Sequence, residues 1–248
     1  MSIRVVGSYL SPYVRKVLAC LHLKGLDYEI DPIVPFMGDD RFTRLSPLRR
    51  VPVLVDELVT LCDSTVICQY LEDRYPAPAL YPADVADRAR ARWLEEYADS
   101  RMGDVFIWGL FNHAVIAPAV WGTPRDRAVI ERIVAQEIPP VLDYLETLAP
   151  REGFLFGAPG IADIAIAVFL RNAAFTRYAV DPQRWPLTAG FVDRVLALDC
   201  LARLQPYEAL MLRTPIPEQR AALAAAGAPV SVDTVGGERP RRGVMRVS

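Results

Sequence analysis

The sequence predicts an α/β domain followed by an all-helical domain. Two observations carry this. The short runs of strand character (IRVV, YEIDPIV, VPVLV and LVTL) all lie before residue 63, while helical periodicity governs residues 85–213. Between them stands APALYPAD, whose prolines mark a linker. A chain of 248 residues, 52% hydrophobic and 23% charged, is long enough to build two cores.

IRVV (3–6) reads as the first strand. Ser11 then caps a helix with Pro12 at its first position, where a missing N–H costs little. Val14, Val17, Leu18 and Leu21 form its apolar stripe, and Gly25 ends it. YEIDPIV (28–34) is a second strand, and RFTRLSP a polar connector with room for a helical turn. VPVLV (51–55) and LVTL, joined by Asp56-Glu57, read as a hairpin. Asp63-Ser64 opens a helix through STVICQYLEDRY, with Val66, Ile67, Tyr70 and Leu71 on one face, and Pro76 closes it. The order β-α-β-(α)-β-β-α implies a parallel pair extended by an antiparallel hairpin, the element order of a thioredoxin-like fold.

Beyond the linker, VADRARARWLEEYADSRMGDVFIWGLFNHAV reads as one long helix up to Pro118, with a charged, solvated first half. Residues 124–149 form a second helix bent at Pro139-Pro140. IADIAIAVFLRNAAF (161–175) is apolar almost all round and reads as the buried central helix of the bundle. TAGFVDRVLAL and LARLQPYEALML add two more. The expected organisation is therefore 1–76 thioredoxin-like, 77–84 linker, 85–213 all-helical, and a tail at 214–248, in which PEQRAALAAAG has room for one short helix and the remainder, rich in Pro, Gly and charge, is either disordered or lies along the body.

The net charge of −2 disfavours nucleic acid or an anionic membrane surface as partner. No apolar run approaches the roughly 18 residues of a membrane span. MSIRVVGSYLSPY lacks a signal peptide's apolar core, so a cytoplasmic location is expected. None of the four cysteines (Cys20, Cys62, Cys68, Cys200) forms a CxxC pair, and His22 and His113 are the only histidines, so no metal is expected.

Three places carry chemistry. Ser11 is a plain helix cap, or a hydroxyl that joins the unpaired N–H groups of a helix N-terminus in holding an anion such as a thiolate. Val51-Pro52 is a plain strand-starting proline or, if the bond is cis, a place where the Val51 backbone pairs with an extended peptide. Asp63-Ser64 is an acidic helix start, or a clamp for the zwitterionic end of an amino acid. Together they describe a site with the shape of a glutathione site.

SPYVRKV, SPLRRVPVL, DSTVICQYLEDRYP and GIADIAIAVFL, in this order over roughly residues 1–212, resemble the cytosolic glutathione transferase family, serine-type. The resemblance implies that Ser11 activates the thiol and Val51, beside a cis Pro52, pairs with the cysteinyl backbone. It also implies that Arg50 meets the glycyl carboxylate and that Asp63 and Ser64 grip the glutamyl end. It implies glutathione as co-substrate, a homodimer, and a helical domain supplying a pocket for a small hydrophobic electrophile. Tyr13, Trp108, Phe111, His113 and Trp121 are the candidates for that pocket, against the alternative that aromatics at helical spacing are core. Other branches use a tyrosine at the end of the first strand. Gly7 falls at that position here, which argues against Tyr9, and Tyr13 follows the proline inside the helix.

Three departures stand out. Pro47-Leu48-Arg49-Arg50 replaces the family's Pro-Leu-Gly-Lys, Asp63 replaces the commoner Glu, and Gly160 stands where Ser or Thr normally completes a capping box with Asp163. The function expected from the resemblance is a transferase that directs the glutathione thiolate at a soft electrophile in conjugation, dehalogenation, peroxide reduction or isomerisation. The alternative is a non-catalytic module of the same scaffold that recruits a protein or an apolar ligand, with the tail as its docking arm.

Overall fold

A computed structural model of the protein describes residues 3–243. They form two compact units: Ala79–Leu201, and the residues up to Pro78 together with those from Ala202 onward. The first boundary falls inside the expected linker. The second returns the last helices and the tail to the N-terminal unit, where the sequence reading kept helices to residue 213 in the helical domain.

The N-terminal unit runs β1 (Ile3–Val6), α1 (Pro12–Leu23), β2 (Tyr28–Asp31), a 3-10 turn (Pro35–Met37), α2 (Asp40–Leu45), β3 (Val53–Val55), β4 (Thr60–Cys62) and α3 (Ser64–Arg74). The sheet order is β2-β1-β3-β4, with β1 parallel to β2 and the other pairs antiparallel. The stripe Val14, Val17, Leu18 and Leu21 is wholly buried. Gly25, at φ 63, closes α1 while the Leu26 N–H donates to Leu21 O at 2.9 Å, a left-handed C-terminal cap.

Strands are shorter than the apolar runs, for local reasons. β2 stops at Asp31 because Pro32 has no N–H for the ladder. β3 begins after Pro52 for the same reason. β4 starts at Thr60 because the Asp56 carboxylate takes the N–H groups of Leu58 and Val59, both at 2.9 Å, to build the turn. The polar connector holds a full short helix: the Asp39 carboxylate caps α2 through the N–H groups of Arg41 (2.7 Å) and Phe42 (3.1 Å), and the Phe42 ring is buried.

This unit continues with α11 (Gln205–Arg213), a 3-10 turn (Ile216–Glu218) and α12 (Gln219–Ala225). Residues 228–243 then lie along the body. They bridge to β2 at Ile30 and to the loop before α2 at Gly38. Residues 244–248 lie outside the described part.

In the second unit, α4 (Val85–Tyr97), a π-wound stretch (Ala98–Ile116) and α5 (Ala117–Trp121) make one helix of 37 residues. It passes Pro118, where the sequence predicted an end. The carbonyl that Pro118 cannot serve, Ala114 O, accepts instead from Arg125 Nε at 2.9 Å. Gly122, at φ 66, ends the helix. One 18-residue window of this helix is apolar enough to cross a membrane, contrary to the sequence reading. That apolar character serves the bundle, since Met102, Val105, Phe106 and Leu110 are all buried.

α6 (Arg127–Arg132), a π turn (Ile133–Glu137) and α7 (Ile138–Glu146) form the next helix, irregular just before Pro139-Pro140. α8 (Ile161–Phe175) is buried along almost its whole length, as its composition predicts. Asp163 caps it, accepting the Gly160 and Leu155 N–H groups, each at 2.9 Å. A Cβ on Gly160 would stand 2.9 Å from Leu80 O, so close packing of the linker explains the glycine that replaces Ser or Thr. α9 (Pro186–Leu196) and the short α10 (Asp199–Ala202) complete the unit.

Candidate functional site

One end of the sheet gathers the N-terminal candidates. β1 pairs Val6 with Val53, and β3 pairs Val53 with Cys62. Continued two residues further, the second register sets Val51 opposite Ser64. α1 begins from the same end of β1 and α3 from the same end of β4. Ser11, Val51 and Ser64 therefore share one edge of the unit.

Gly7 makes this convergence possible. Its φ is 152, and a Cβ there would lie 2.4 Å from Val14 Cγ2 and 3.1 Å from Val51 Cβ. A tyrosine at this position would strike both the first turn of α1 and the Val51 loop. Tyr9 is fully buried, with its ring 5.1 Å from Tyr207, and desolvation pushes its phenol far above the ordinary range. It is a core group, unsuited to stabilising a thiolate.

Ser11 has an extended backbone (φ −82, ψ 125), and its oxygen accepts from the Val14 N–H at 3.4 Å. That bond is long, and it uses the oxygen while leaving the hydroxyl hydrogen to be donated. The residue is half-buried.

The Val51-Pro52 bond is cis. Neither the N–H nor the C=O of Val51 has a partner among the described residues. Arg50 is exposed, and its backbone is held on both sides by the buried Ser46, whose hydroxyl donates to Arg50 O and accepts from Arg50 N, both at 2.9 Å. Arg49 stands where the family usually has glycine, and its φ is 53, in the left-handed region. Its guanidinium turns inward, donating to Gly38 O (2.7 Å) and Thr43 Oγ1 (2.6 Å) over the Phe42 ring. The two arginines thus differ: Arg49 braces the loop and Arg50 projects outward.

Asp63 also has positive φ, 82, and its carboxylate accepts from the Thr65 (2.9 Å) and Val66 (3.2 Å) N–H groups. Strained backbone of this kind persists where surrounding structure holds it. Ser64 is 3% exposed, and its hydroxyl has no partner among the described residues. Sequence reasoning missed Lys16: fully buried on α1, it reaches Thr65 Oγ1 at 3.1 Å and brings a cation to the start of α3. The periodicity gave no signal for it, because Lys16 lies on the side of α1 opposite the stripe of Val14, Val17, Leu18 and Leu21.

The pocket candidates are spread more widely. Tyr13 is half-buried in the first turn of α1. Trp108, His113 and Trp121 are half-buried on the long helix. Phe111 is core, 4% exposed with its ring 6.2 Å from Phe175. Trp108, Phe111, His113 and Trp121 all lie on the one long helix.

Comparison with known proteins matches residues 5–79 to the family model "Glutathione S-transferase, N-terminal domain" and 125–194 to "Glutathione S-transferase, C-terminal domain". A maleylacetoacetate isomerase of Pseudomonas aeruginosa is 32% identical over 206 residues, covering 80% of this chain and 93% of the relative. A glutathione S-transferase structure from Rhodospirillum rubrum F11 superposes with a TM-score of 0.75 at 27% identity, covering 82% of this chain and 91% of its own. One from Methylobacterium radiotolerans, solved in complex with glutathione sulfonate, gives a TM-score of 0.68 at 26% identity, covering 82% and 94%.

Proposed function

The chain belongs to the glutathione S-transferase family, and from that premise we propose that it binds reduced glutathione and uses Ser11 to hold its sulfur as the thiolate. The observation that carries this is that the N–H and C=O of Val51, on the sheet end shared with Ser11 and Ser64, have no partner among the described residues. An extended peptide needs such an edge, and the cysteinyl residue of glutathione is the peptide the family binds. Arg50 meets the glycyl carboxylate. Asp63 takes the glutamyl ammonium and Ser64, with the α3 N–H groups, its carboxylate.

The chemistry follows from charge. The thiol loses its proton to solvent, and the Ser11 hydroxyl donates to the sulfur anion. The α1 N-terminus adds a favourable partial charge. This raises the thiolate fraction near neutral pH without a general base. The thiolate then attacks a soft electrophilic carbon, forming a C–S bond as the leaving group departs with its electron pair. With a conjugated alkene the same thiolate adds, the former double bond rotates, and elimination returns the thiolate. The relative named maleylacetoacetate isomerase makes that isomerisation the first reaction to assay. We also propose the homodimer typical of this family, with the electrophile pocket in the helical unit.

The test is retention on immobilised glutathione, followed by turnover of a generic aryl halide and a cis-alkene diacid. Ser11→Ala is expected to keep glutathione binding and to lose about 10- to 1000-fold in turnover, the range for one donor to a developing anion. Unchanged turnover overturns the role of Ser11. Retention without turnover on a broad electrophile panel would favour the binding-module reading. That reading drew on the tail as a docking arm, whereas the tail bridges to β2 at Ile30 and to the loop before α2 at Gly38.

A further inference from the structure

The tail is built into the N-terminal unit in a way that leads to the Val51 loop, and we infer that residues 229–241 are a positioning element for that loop, locked in place by Asp31 and Arg220. The inference rests on the glutathione reading above. It begins at the exposed edge of the sheet. The Ile30 N–H donates to Pro229 O at 2.7 Å and the Ser231 N–H to Ile30 O at 2.8 Å, so the tail pairs with β2 and covers an edge that would otherwise be open.

The lock is the next residue. Asp31 is 1% exposed; Arg220 Nη1 donates to its Oδ1 at 2.8 Å and the Val235 N–H to its Oδ2 at 2.7 Å. The other arm of Arg220 gathers the carbonyls of Ser231, Val232 and Asp233. One guanidinium thus ties α12, the tail and the end of β2 together. Asp31 is the buried member of this pair and Arg220 is only partly covered, so removing the guanidinium leaves a buried carboxylate without its countercharge.

From the lock the tail follows the loop before α2. Val235 O accepts from the Asp39 N–H at 2.9 Å, Thr234 O from Arg41 Nη2 at 2.6 Å, and Phe36 O from the Arg241 N–H at 2.7 Å. Arg241 pairs with Asp40. The Val235 side chain enters the core cluster of Phe42 and Val53, against which Val51 packs. Arg49 completes the relay, since its guanidinium joins the 49–51 loop to Gly38 and Thr43. Tail, α2 loop and Val51 are linked by these contacts within the unit.

The test is made in the full chain with Arg220→Met. The KM and Kd for glutathione are expected to rise about tenfold, with kcat at saturating glutathione held within about twofold. Amide hydrogen exchange at residues 48–53 is expected to quicken. Arg220→Lys, which keeps the charge pair with Asp31 but not the fork to the carbonyls, should recover part of both effects. A folded Arg220→Met protein with unchanged KM and unchanged exchange at 48–53 overturns the inference. If Arg220→Met fails to fold, Val235→Ala carries the same measurements. If the unaltered protein binds no glutathione, the glutathione reading falls, and the exchange arm alone decides whether the tail positions the loop.

Discussion

The N-termini of α1 and α3 begin at the same end of one sheet, yet they are capped differently. At α1 the cap and the candidate functional group are one residue: Ser11 accepts a single long bond of 3.4 Å and keeps its hydrogen. At α3 the tasks are divided. Asp63 takes two backbone N–H groups at a φ of 82, and Ser64 beside it, a largely buried residue, has a hydroxyl that caps nothing among the described residues. Capping and ligand binding can therefore be separated by mutation at α3 but not at α1. The weaker cap belongs to the group asked to give its hydrogen to sulfur, and the stronger to the residue whose backbone is strained.

The largest expected effect opposes the two serines. Ser11→Ala lowers kcat by one to three orders of magnitude, whereas Ser64→Ala raises KM for glutathione about tenfold and leaves kcat nearly unchanged, as loss of a hydrogen bond to a charged group would. Steady-state kinetics over a range of glutathione concentrations separates these outcomes, and a kcat loss at Ser64 equal to that at Ser11 would erase the distinction.

Next comes Asp63. Asp63→Ala should cost about 1–2 kcal/mol of stability, read as a lower melting midpoint, and should also raise KM. Asp63→Asn keeps the cap, so it should hold the midpoint while KM still rises. Equal melting losses in both would assign the stability to charge rather than to capping.

Arg49 provides a smaller test of strain alone. Arg49→Ala and Arg49→Gly both lose the bonds to Gly38 and Thr43, but only glycine relieves the φ of 53. The glycine variant should be more stable than the alanine variant by about 1 kcal/mol in urea unfolding.

The smallest effect concerns a third cap. α9 begins at Pro186 with no side-chain cap of its own, and Glu146 of α7 supplies one, accepting the Leu187 and Thr188 N–H groups and the Thr188 hydroxyl. Burial raises its carboxyl, but these three bonds outweigh it and hold the pKa below the ordinary glutamate value. A depressed carboxylate stabilises the fold above its unfolded pKa, and that contribution is lost as pH falls through the folded value. Glu146→Gln should therefore flatten the acid limb of the stability curve by lowering stability near neutrality, and leave stability unchanged at pH values below the folded pKa.

Much of this was legible in the sequence because the signals are local. Ser11-Pro12 and Asp63-Ser64 are caps that a helix start demands whatever surrounds it, and Val14, Val17, Leu18 and Leu21 follow the helical period. Gly7 and Gly160 were harder to read. Gly7 answers first to Val14 in the next helix and then to remote Val51, and Gly160 to remote Leu80, while sequence shows only that a side chain is missing. Pro118 misled because its usual effect is to end a helix. Arg125, a few residues later, serves the carbonyl it leaves open. Lys16 follows Arg15 on a helix start that reads as polar, and its burial against Thr65 depends on a segment remote in the chain.

By itself the sequence determined the order of elements, the two helix starts that carry Ser11 and Ser64, and the buried α8, since each depends on spacing and capping within a dozen residues. The tertiary structure alone decided that Arg49 turns inward while Arg50 faces out, that the Val51 backbone groups are unpaired among the described residues, and that Arg220 and Val235 meet Asp31 about 190 to 200 positions earlier. Those outcomes rest on contacts between segments remote in the chain, where the energy of burying a charge or filling a core depends on the partner that arrives rather than on the residue itself.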